Sequence, residues 1–183
     1  QNRRRGEEAR GDRLDEWLAR RGGRWIRRGD PDFPHLGGLA DPPEALALRG
    51  SLAGAGAGSE PPAVAVIGSR RVDAAAIDLA RRIGFALARA GFTVVSGGAL
   101  GVDAAAHEGA LAAGGATVAV LAGGVLRPHP PRNRALFARI LAAGGGLCSE
   151  TLDAPPFRWT FSRRNRLIAA LARAVVVVRA GAG

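Results

Sequence analysis

The sequence has no methionine, lysine or tyrosine, and only one cysteine, Cys148, among its 183 residues. A single thiol excludes a disulfide within the chain and a zinc site built from several cysteines. No apolar run reaches the roughly 18–20 residues of a membrane-spanning helix, so we expect no membrane partner. No secretory signal is evident, and we predict a cytoplasmic location. Because the chain starts at Gln1 and lacks methionine, we expect a piece of a longer protein.

Acidic residues are scarce in the last third of the chain, so the formal net charge of +10 is unevenly distributed. Residues 123–183 hold ten arginines against two acids, whereas residues 29–122 hold six against nine. Residues 1–28 hold ten arginines against five acids. A concentrated basic excess is typical of a protein with a polyanionic partner, most often nucleic acid. Composition alone leaves a solvated basic surface open as the alternative.

The sequence predicts three segments. Residues 1–28 form a basic N-terminal helix or arm, and residues 29–62 a lead-in and linker rich in proline and glycine. Residues 63–183 alternate short, continuous apolar runs with stretches of helical spacing. This alternation predicts an α/β fold, a doubly wound, mostly parallel, extended Rossmann-like sheet with helices on both faces. The predicted strands are "AVAVIG", "FTVVSGG", "ATVAVLAGG", "LCSE" and "VVVVRA".

In such sheets ligands bind at the carboxyl ends of the strands, so the loops that follow the strands are the predicted site. The loop "GSRR" (68–71) offers a glycine, a hydroxyl and an arginine, which together can cradle a phosphate. The loop "SGGALGVD" (96–103) has the glycines of an amide-lined nest for an anion. A tight turn without a ligand is the alternative for each loop. Neither loop carries the G-x-G-x-x-G fingerprint, and we expect no cofactor.

The next two loops share the tripeptide Arg-Asn-Arg, at 132–134 and at 164–166. We predict that Asn133 and Asn165 each cap the start of a helix while the flanking arginines bind phosphates. In "PPFRWTFSRRNR" (155–166) aromatic residues alternate with arginines, which suits base stacking and phosphate binding on single-stranded nucleic acid. Aromatic residues that fill the core beneath the loop are the alternative. The residues predicted to contact the nucleic acid are Gly68, Ser69, Arg70, Ser96, Gly97, Gly98, Arg132, Asn133, Arg163, Arg164, Asn165 and Arg166, and the stacking candidates are His129, Trp159 and Phe161.

Groups suited to acid–base chemistry are few. Asp103 and His107 are four residues apart in a predicted helix, and we interpret them as a structural or orienting pair rather than as metal ligands. Glu150 follows the fourth predicted strand, and Cys148 lies within that strand as a core residue. No Ser/His/Asp arrangement has the context of a nucleophile, because the G-x-S-x-G motif is absent.

Six motifs follow one another along the chain: "VAVIGSR" (64–70), "VVSGGALGVDAAAHEGAL" (94–111), "TVAVLAGG" (117–124), "HPPRN" (129–133), "LCSE" (147–150) and "FSRRNRLIAAL" (161–171). In this order they resemble the DNA-processing protein A family, also called Smf, of bacterial transformation. The stretch "DPDFPHLGGLADPPEALALRGSL" (30–52) is similar to the segment that precedes the Rossmann-like domain of that family. The resemblance therefore covers most of residues 30–183.

This resemblance implies a non-catalytic protein that binds single-stranded DNA without strong sequence preference. Such a protein protects incoming strands and helps to load a RecA-type recombinase in natural transformation and recombination. Carried over by motif, the DNA contacts are Ser69 and Arg70, the Arg132–Asn133 region, and Arg163 to Arg166. The resemblance also implies a homodimer in the full-length family. Because this chain stops at Gly183, before the usual dimer surface, we expect no self-association of the chain itself.

The sequence departs from the family at three points. His129-Pro130 stands where the family usually has Tyr-Pro, Phe161-Ser162 where it has Phe-Pro, and Arg179 where it commonly has Glu. The alternative function is that of a nucleotide-binding or nucleoside-monophosphate-cleaving enzyme of the related Rossmann-like group. That group needs a P-G-G-x-G-T-x-x-E loop, which this sequence lacks.

Overall fold

The structure is a computed structural model that describes residue 16 and residues 18–52, 54–56 and 58–180. Most of the predicted N-terminal helix or arm lies outside these residues. The described strands form one sheet in the order β1-β2-β6-β5-β4-β3-β7. They are β1 (Gly23–Arg27), β2 (Ala45–Gly50), β3 (Ala63–Gly68), β4 (Thr93–Ser96), β5 (Thr117–Val120), β6 (Gly146–Ser149) and β7 (Ala174–Arg179). The helices are α1 (Ala74–Arg89), α2 (Val102–Ala112), α3 (Arg134–Ala142) and α4 (Arg158–Ala170), with a 3-10 turn at Pro131–Asn133.

The strands from β3 onward pair in parallel, which confirms the predicted α/β class and the mostly parallel sheet. One strand, β2, comes from the segment that was predicted to be lead-in and linker, and another, β1, comes from the segment that was predicted to be a basic helix or arm. β2 pairs antiparallel with β6, and β1 pairs antiparallel with β2. The boundary predicted before residue 63 therefore divides a single sheet. The apolar run "ALAL" at 45–48 indicates a strand, whereas the prolines and glycines on both sides of it favour a loop.

Side chains that alternate along the strands fill two core layers, one on each face of the sheet. On one face Val66, Val94 and Leu147 pack against α1, α2 and α3. On the other face Val95 and Cys148 pack against α4 and the lead-in segment. Cys148 is fully buried, as predicted, and burial raises the pKa of its thiol to about 12. None of the helices in the described ranges combines the length and the apolar character that crossing a membrane requires.

Helices α1 and α2 approach each other closely because glycines lie at their contact. A Cβ atom added at Gly84 would overlap the backbone of Ala106, and one added at Gly109 would overlap the carbonyl oxygen of Arg81. The start of α1 is fixed by Asp73, whose carboxylate accepts a 2.8 Å hydrogen bond from Ala76 N. The close contact between α1 and α2 sets the position of α2, whose N-terminus lies at the carboxyl edge of the parallel strands.

His107 is completely buried in α2 and is fixed by a chain of hydrogen bonds. Thr117 Oγ1 donates to Val94 O at 2.7 Å, so His107 Nδ1, 2.7 Å from that oxygen, must be the donor between them. Burial, with a smaller effect from the charge of Arg164, lowers the pKa of His107 to about 3. Asp103 instead accepts a 3.3 Å hydrogen bond from Ala99 N. The predicted Asp103–His107 pair is therefore wrong, because each side chain binds a different partner.

We predict that Gly84→Ala lowers the free energy of unfolding by about 1–3 kcal/mol, because the new methyl group must push α1 away from α2. Urea denaturation monitored by circular dichroism measures this loss. Gly23→Ala in β1 is the matched control, since a Cβ there would meet its nearest neighbour, Leu126 Cδ2, at an ordinary 3.4 Å. Equal stability of the two variants would contradict the close packing.

We also predict that His107→Asn makes stability less dependent on pH. The folded protein holds His107 neutral down to a pKa of about 3, whereas the unfolded chain takes up the proton near 6.5. Stability is therefore lost as the pH falls between these two values, by about 1.4 kcal/mol per pH unit. Burial raises the pKa of Asp103, which acts in the opposite direction, so the comparison between wild type and variant isolates His107. Denaturation at about pH 7 and about pH 4.5 provides the test, and parallel curves would refute it.

Candidate nucleic-acid interface

The loops that follow β3, β4, β5 and β6 meet at the carboxyl edge of the parallel strands and enclose two cavities. The first, the Phe161 cavity, has a volume of about 140 Å³ and is lined by Arg70, Gly97, His129 and Phe161 among others. The second, the Arg164 cavity, has a volume of about 340 Å³. Its charged lining residues are Arg70, Asp103, Arg164 and Arg179. Arg70 and Phe161 belong to both cavities.

Arg70 lies over the ring of Phe161, with its Cζ atom 4.3 Å from the ring centroid. This cation–π contact orients the guanidinium plane and leaves the N–H groups at its edge able to bind an anion. Arg70 is exposed, and it makes no ion pair within the described part of the chain. Ser69 lies beside it, but its hydroxyl turns back into its own loop and donates to Arg71 O at 3.2 Å. In this predicted phosphate site, the side chain of Arg70 therefore faces the solvent, whereas the hydroxyl of Ser69 does not.

Arg164 has a different environment, because its side chain crosses beneath the loop after β4. Its relative exposure is only 7%, and its Nη1 donates to Val120 O at 2.8 Å. A Cβ atom at Gly97 would overlap the guanidinium, so only glycine allows the loop to lie this close. Burial lowers the pKa of Arg164, the carboxylate of Asp103 opposes this shift, and the nearby positive charge of Arg70 adds to it. Two like charges therefore repel each other across the Arg164 cavity.

The glycine-rich loop after β4 is occupied by a group of the chain itself. The carboxylate of Asp103 accepts from Ala99 N and lies where the sequence predicted that a phosphate would bind. Burial raises the pKa of Asp103, and the charge of Arg164 together with these backbone amides opposes that rise. Ser96 is fully buried, and its hydroxyl donates to Val66 O at 2.6 Å. Gly97 and Gly98 are buried too, so this loop supports the site from below rather than facing the solvent.

Asn133 fastens the same loop from the other side. Its Nδ2 donates to Gly98 O at 2.9 Å and to Ala99 O at 3.2 Å. It makes no side-chain cap at the start of α3, so the predicted capping role is wrong. The reason is its burial, which turns the amide inward to the loop carbonyls. Its neighbour Arg132 is exposed.

The predicted cap at Asn165 is wrong as well, because α4 begins seven residues earlier, at Arg158. Thr160 holds that start, since its Oγ1 accepts from Phe157 N at 3.0 Å. Asn165 lies in the second turn of α4, is exposed and lines the Arg164 cavity. The two Arg-Asn-Arg tripeptides therefore have different environments in spite of their identical sequence.

Glu150, a candidate acid in the sequence, is bound by two arginines of α4. Arg163 Nη2 lies 3.2 Å from Glu150 Oε1, and Arg166 pairs with the same oxygen. Arg166 also donates to the carbonyl oxygen of Asp41 in the lead-in segment. Arg163 remains half exposed, whereas Arg166 is mostly covered. These two predicted contact residues thus differ in how much of each guanidinium can reach a ligand.

The exposed aromatic side chains border the same edge. Trp159 is 62% exposed and Phe157 is 51% exposed, and their rings are parallel with centroids 6.3 Å apart. His129 is exposed and lines the Phe161 cavity. The described residues contain no group of three His, Cys, Asp or Glu side chains that could hold a metal ion.

Asp103 and Arg179 have positions in the site that the sequence did not predict. Arg179 lines the Arg164 cavity and pairs with Asp73 at 3.2 Å. Asp103 could have been found, because it is the one acidic residue in the three predicted loops 68–71, 96–103 and 123–134. A lone carboxylate beside amide-rich glycines and buried arginines is expected to bind them.

Known proteins are similar to this chain in sequence and in fold. The family model of DNA recombination-mediator protein A matches residues 24–183. Protein Smf of Synechocystis sp. is 40% identical over 152 residues, which are 82% of this chain and 38% of that protein. DNA processing protein A of Streptococcus pneumoniae has a structure that matches with a TM-score of 0.72 and 32% identity over 84% of this chain and 53% of that one.

A second solved structure, of DNA processing protein A from Helicobacter pylori, concerns the single-stranded DNA binding mode of that protein. It matches with a TM-score of 0.72 and 31% identity over 85% of this chain and 69% of that one. The chain thus spans less than half the length of the Synechocystis protein and about half of the Streptococcus structure. These matches confirm the resemblance and the Rossmann-like fold. The chain belongs to the DNA recombination-mediator protein A family.

Proposed function

We propose that this chain binds single-stranded DNA at the Phe161 and Arg164 cavities, without strong sequence preference. The observation that carries the proposal is Arg70, an exposed guanidinium oriented by the Phe161 ring and repelled by the buried charge of Arg164. A phosphate bound at Arg70 relieves this repulsion and gains charge-assisted hydrogen bonds. Phosphate contacts of this kind carry no base code, which accounts for the low sequence preference.

The aromatic residues favour a single strand over a duplex. Phe161, His129 and Trp159 border the site, and unpaired bases can stack on such rings. In a duplex the faces of the bases are covered by their neighbours, so these rings would gain little. The Helicobacter pylori relative, whose structure concerns its single-stranded DNA binding mode, supports the same ligand for this chain.

The geometry of the acids favours binding over catalysis. Glu150 is paired with Arg163 and Arg166, and Asp103 is buried against backbone amides. Both carboxylates are thus engaged by groups of the chain itself. The nucleotide-cleaving alternative needs a carboxylate that is free for chemistry, and we therefore propose a non-enzymatic role. In the longer proteins of the family we propose that this binding protects the strand and helps to load a RecA-type recombinase, in an assembly that includes a homodimer.

We predict that Arg70→Ala weakens binding of a labelled single-stranded oligonucleotide by about tenfold, the loss of one charge-assisted contact. The slope of log affinity against log salt should fall by about 0.7, because one fewer phosphate is neutralised. Fluorescence anisotropy across a salt series measures both quantities. Arg71→Ala is the matched control, since Arg71 is exposed in the same loop but lines neither cavity. Equal losses in the two variants, or equal affinity for a matched duplex, would indicate an unspecific basic surface.

We predict that Arg164→Ala lowers the free energy of unfolding by about 3 kcal/mol. The change leaves the carbonyl oxygen of Val120 without its donor and Asp103 without its neighbouring positive charge. Arg163 is the adjacent residue, and its side chain is half exposed. Arg163→Ala should therefore lower the free energy of unfolding by less than about 0.5 kcal/mol. Urea denaturation of the two variants separates the roles. A fully stable Arg164→Ala protein would show that Arg164 does not support the fold.

A further inference from the structure

The Phe161 and Arg164 cavities, which share Arg70, are here called together the Arg70 site. A further basic cavity lies away from this site, beside the β1–β2 edge of the sheet. It is open, has a volume of about 420 Å³, and is lined by Arg21, Arg49, Leu126, Arg127 and Asp153. Three arginines thus face one carboxylate. We propose that this cavity, here called the Arg49 cavity, binds a phosphodiester group of the same DNA strand outside the Arg70 site. The proposal extends the function proposed above and rests on it.

The fold brings Arg49 to this cavity through β1 and β2, the two strands that the residues before position 63 add to the sheet. Arg49 lies in β2 between Gly23 of β1 and Leu147 of β6. A Cβ atom added at Gly23 would lie 3.6 Å from Arg49 Cγ and 3.4 Å from Leu126 Cδ2. The stem of Arg49 and the side chain of Leu126 therefore lie next to β1 at Gly23.

The guanidinium of Arg49 has hydrogen-bonding capacity that the chain does not use. Its Nε atom is buried, and no acceptor for it lies among the described residues. A buried N–H donor without an acceptor costs free energy, so an anion that reaches this guanidinium is favoured. Arginine also suits phosphate because its planar fork can offer two parallel donors.

Arg127 completes the cavity from the loop that follows β5. Its Nε lies 2.8 Å from Asp153 Oδ1, and its side chain is 76% exposed. Asp153 is 37% exposed and its Oδ1 is buried, so the carboxylate occupies one edge of the Arg127 guanidinium. The rest of this exposed guanidinium is open to a phosphate, and Asp153 is the one opposing charge among the lining residues.

The Arg49 cavity and the Arg70 site share two loops, which makes one strand the best candidate for occupying both. Gly124 N donates to Ala154 O at 2.8 Å, and Leu126 N donates to Leu152 O at 3.0 Å, so the loops after β5 and β6 are joined. Arg127 precedes the exposed His129 by two residues. The open shape and the spread of its arginines over separate elements suit a chain that passes through rather than an enclosed small molecule.

The test compares oligonucleotides of about 6 and about 30 nucleotides, because only the longer strand can leave the Arg70 site and reach the Arg49 cavity. For the longer strand, Arg127→Gln should weaken binding about threefold to tenfold and lower the salt slope by about 0.7. Binding of the short oligonucleotide should not change. Arg82→Gln is the matched control, since Arg82 pairs with Asp78 at 3.0 Å on α1 just as Arg127 pairs with Asp153.

A second variant moves the affinity in the opposite direction. Asp153→Asn removes the single carboxylate, and it should tighten binding of the longer strand about twofold to threefold while leaving the short one unchanged. Arg49→Gln should act as Arg127→Gln does. If Arg49→Gln fails to fold, the variants at the exposed Arg127 and at the half-buried Asp153 still decide the question.

Two results would overturn the inference. One is that Arg127→Gln and Asp153→Asn leave the affinity and the salt slope for the longer strand at wild-type values. The other is that inorganic phosphate raises the melting temperature of the wild type but not of Arg127→Gln while DNA binding stays equal, which would indicate a site for a small anion. Failure of the proposed function itself looks different, because the wild-type chain would then bind neither oligonucleotide.

Discussion

The guanidinium of Arg164 lies beneath the carboxyl edge of the sheet, and the architecture of the site depends on its burial. It donates to the carbonyl oxygen of Val120, lies under Gly97, and places its positive charge near Asp103. Residues from α4 and from the loops after β4 and β5 are joined in this way. A buried charge is stable only when polar groups surround it, so these loops are fixed relative to one another.

The same buried charge determines which residues of the edge can act on a ligand. Asp103 balances Arg164 and thereby fills the glycine-rich nest from within. Arg70, held over Phe161, has no such balance and remains an outward-facing cation. Arg164 thus supports the loops, whereas Arg70 is the arginine that we propose to contact DNA, although both belong to segments that look equally basic in sequence.

The basic character continues beyond that site because residues before position 63 join the sheet. β1 and β2 extend the parallel core by two antiparallel strands, and β2 carries Arg49 to the side of the loop that bears Arg127. An extended polyanion makes several weak phosphate contacts rather than one strong contact, and its affinity depends on their number. A surface on which the Arg70 site and the Arg49 cavity share loops suits such a ligand.

The sequence by itself determined the α/β class, the alternation of strands and helices along residues 63–183, and the edge of the sheet at which the candidate site lies. Apolar periodicity and strand-to-helix loops are local properties, so the sequence is enough to predict them. It also contained enough motifs to identify the family. Only the tertiary structure decided that Asn133 clamps a loop, that Asn165 lies within a helix, and that Arg164 is buried while Arg70 is exposed. Identical tripeptides differ because burial and hydrogen-bond partners come from residues far apart in the chain, and local sequence does not encode those distances.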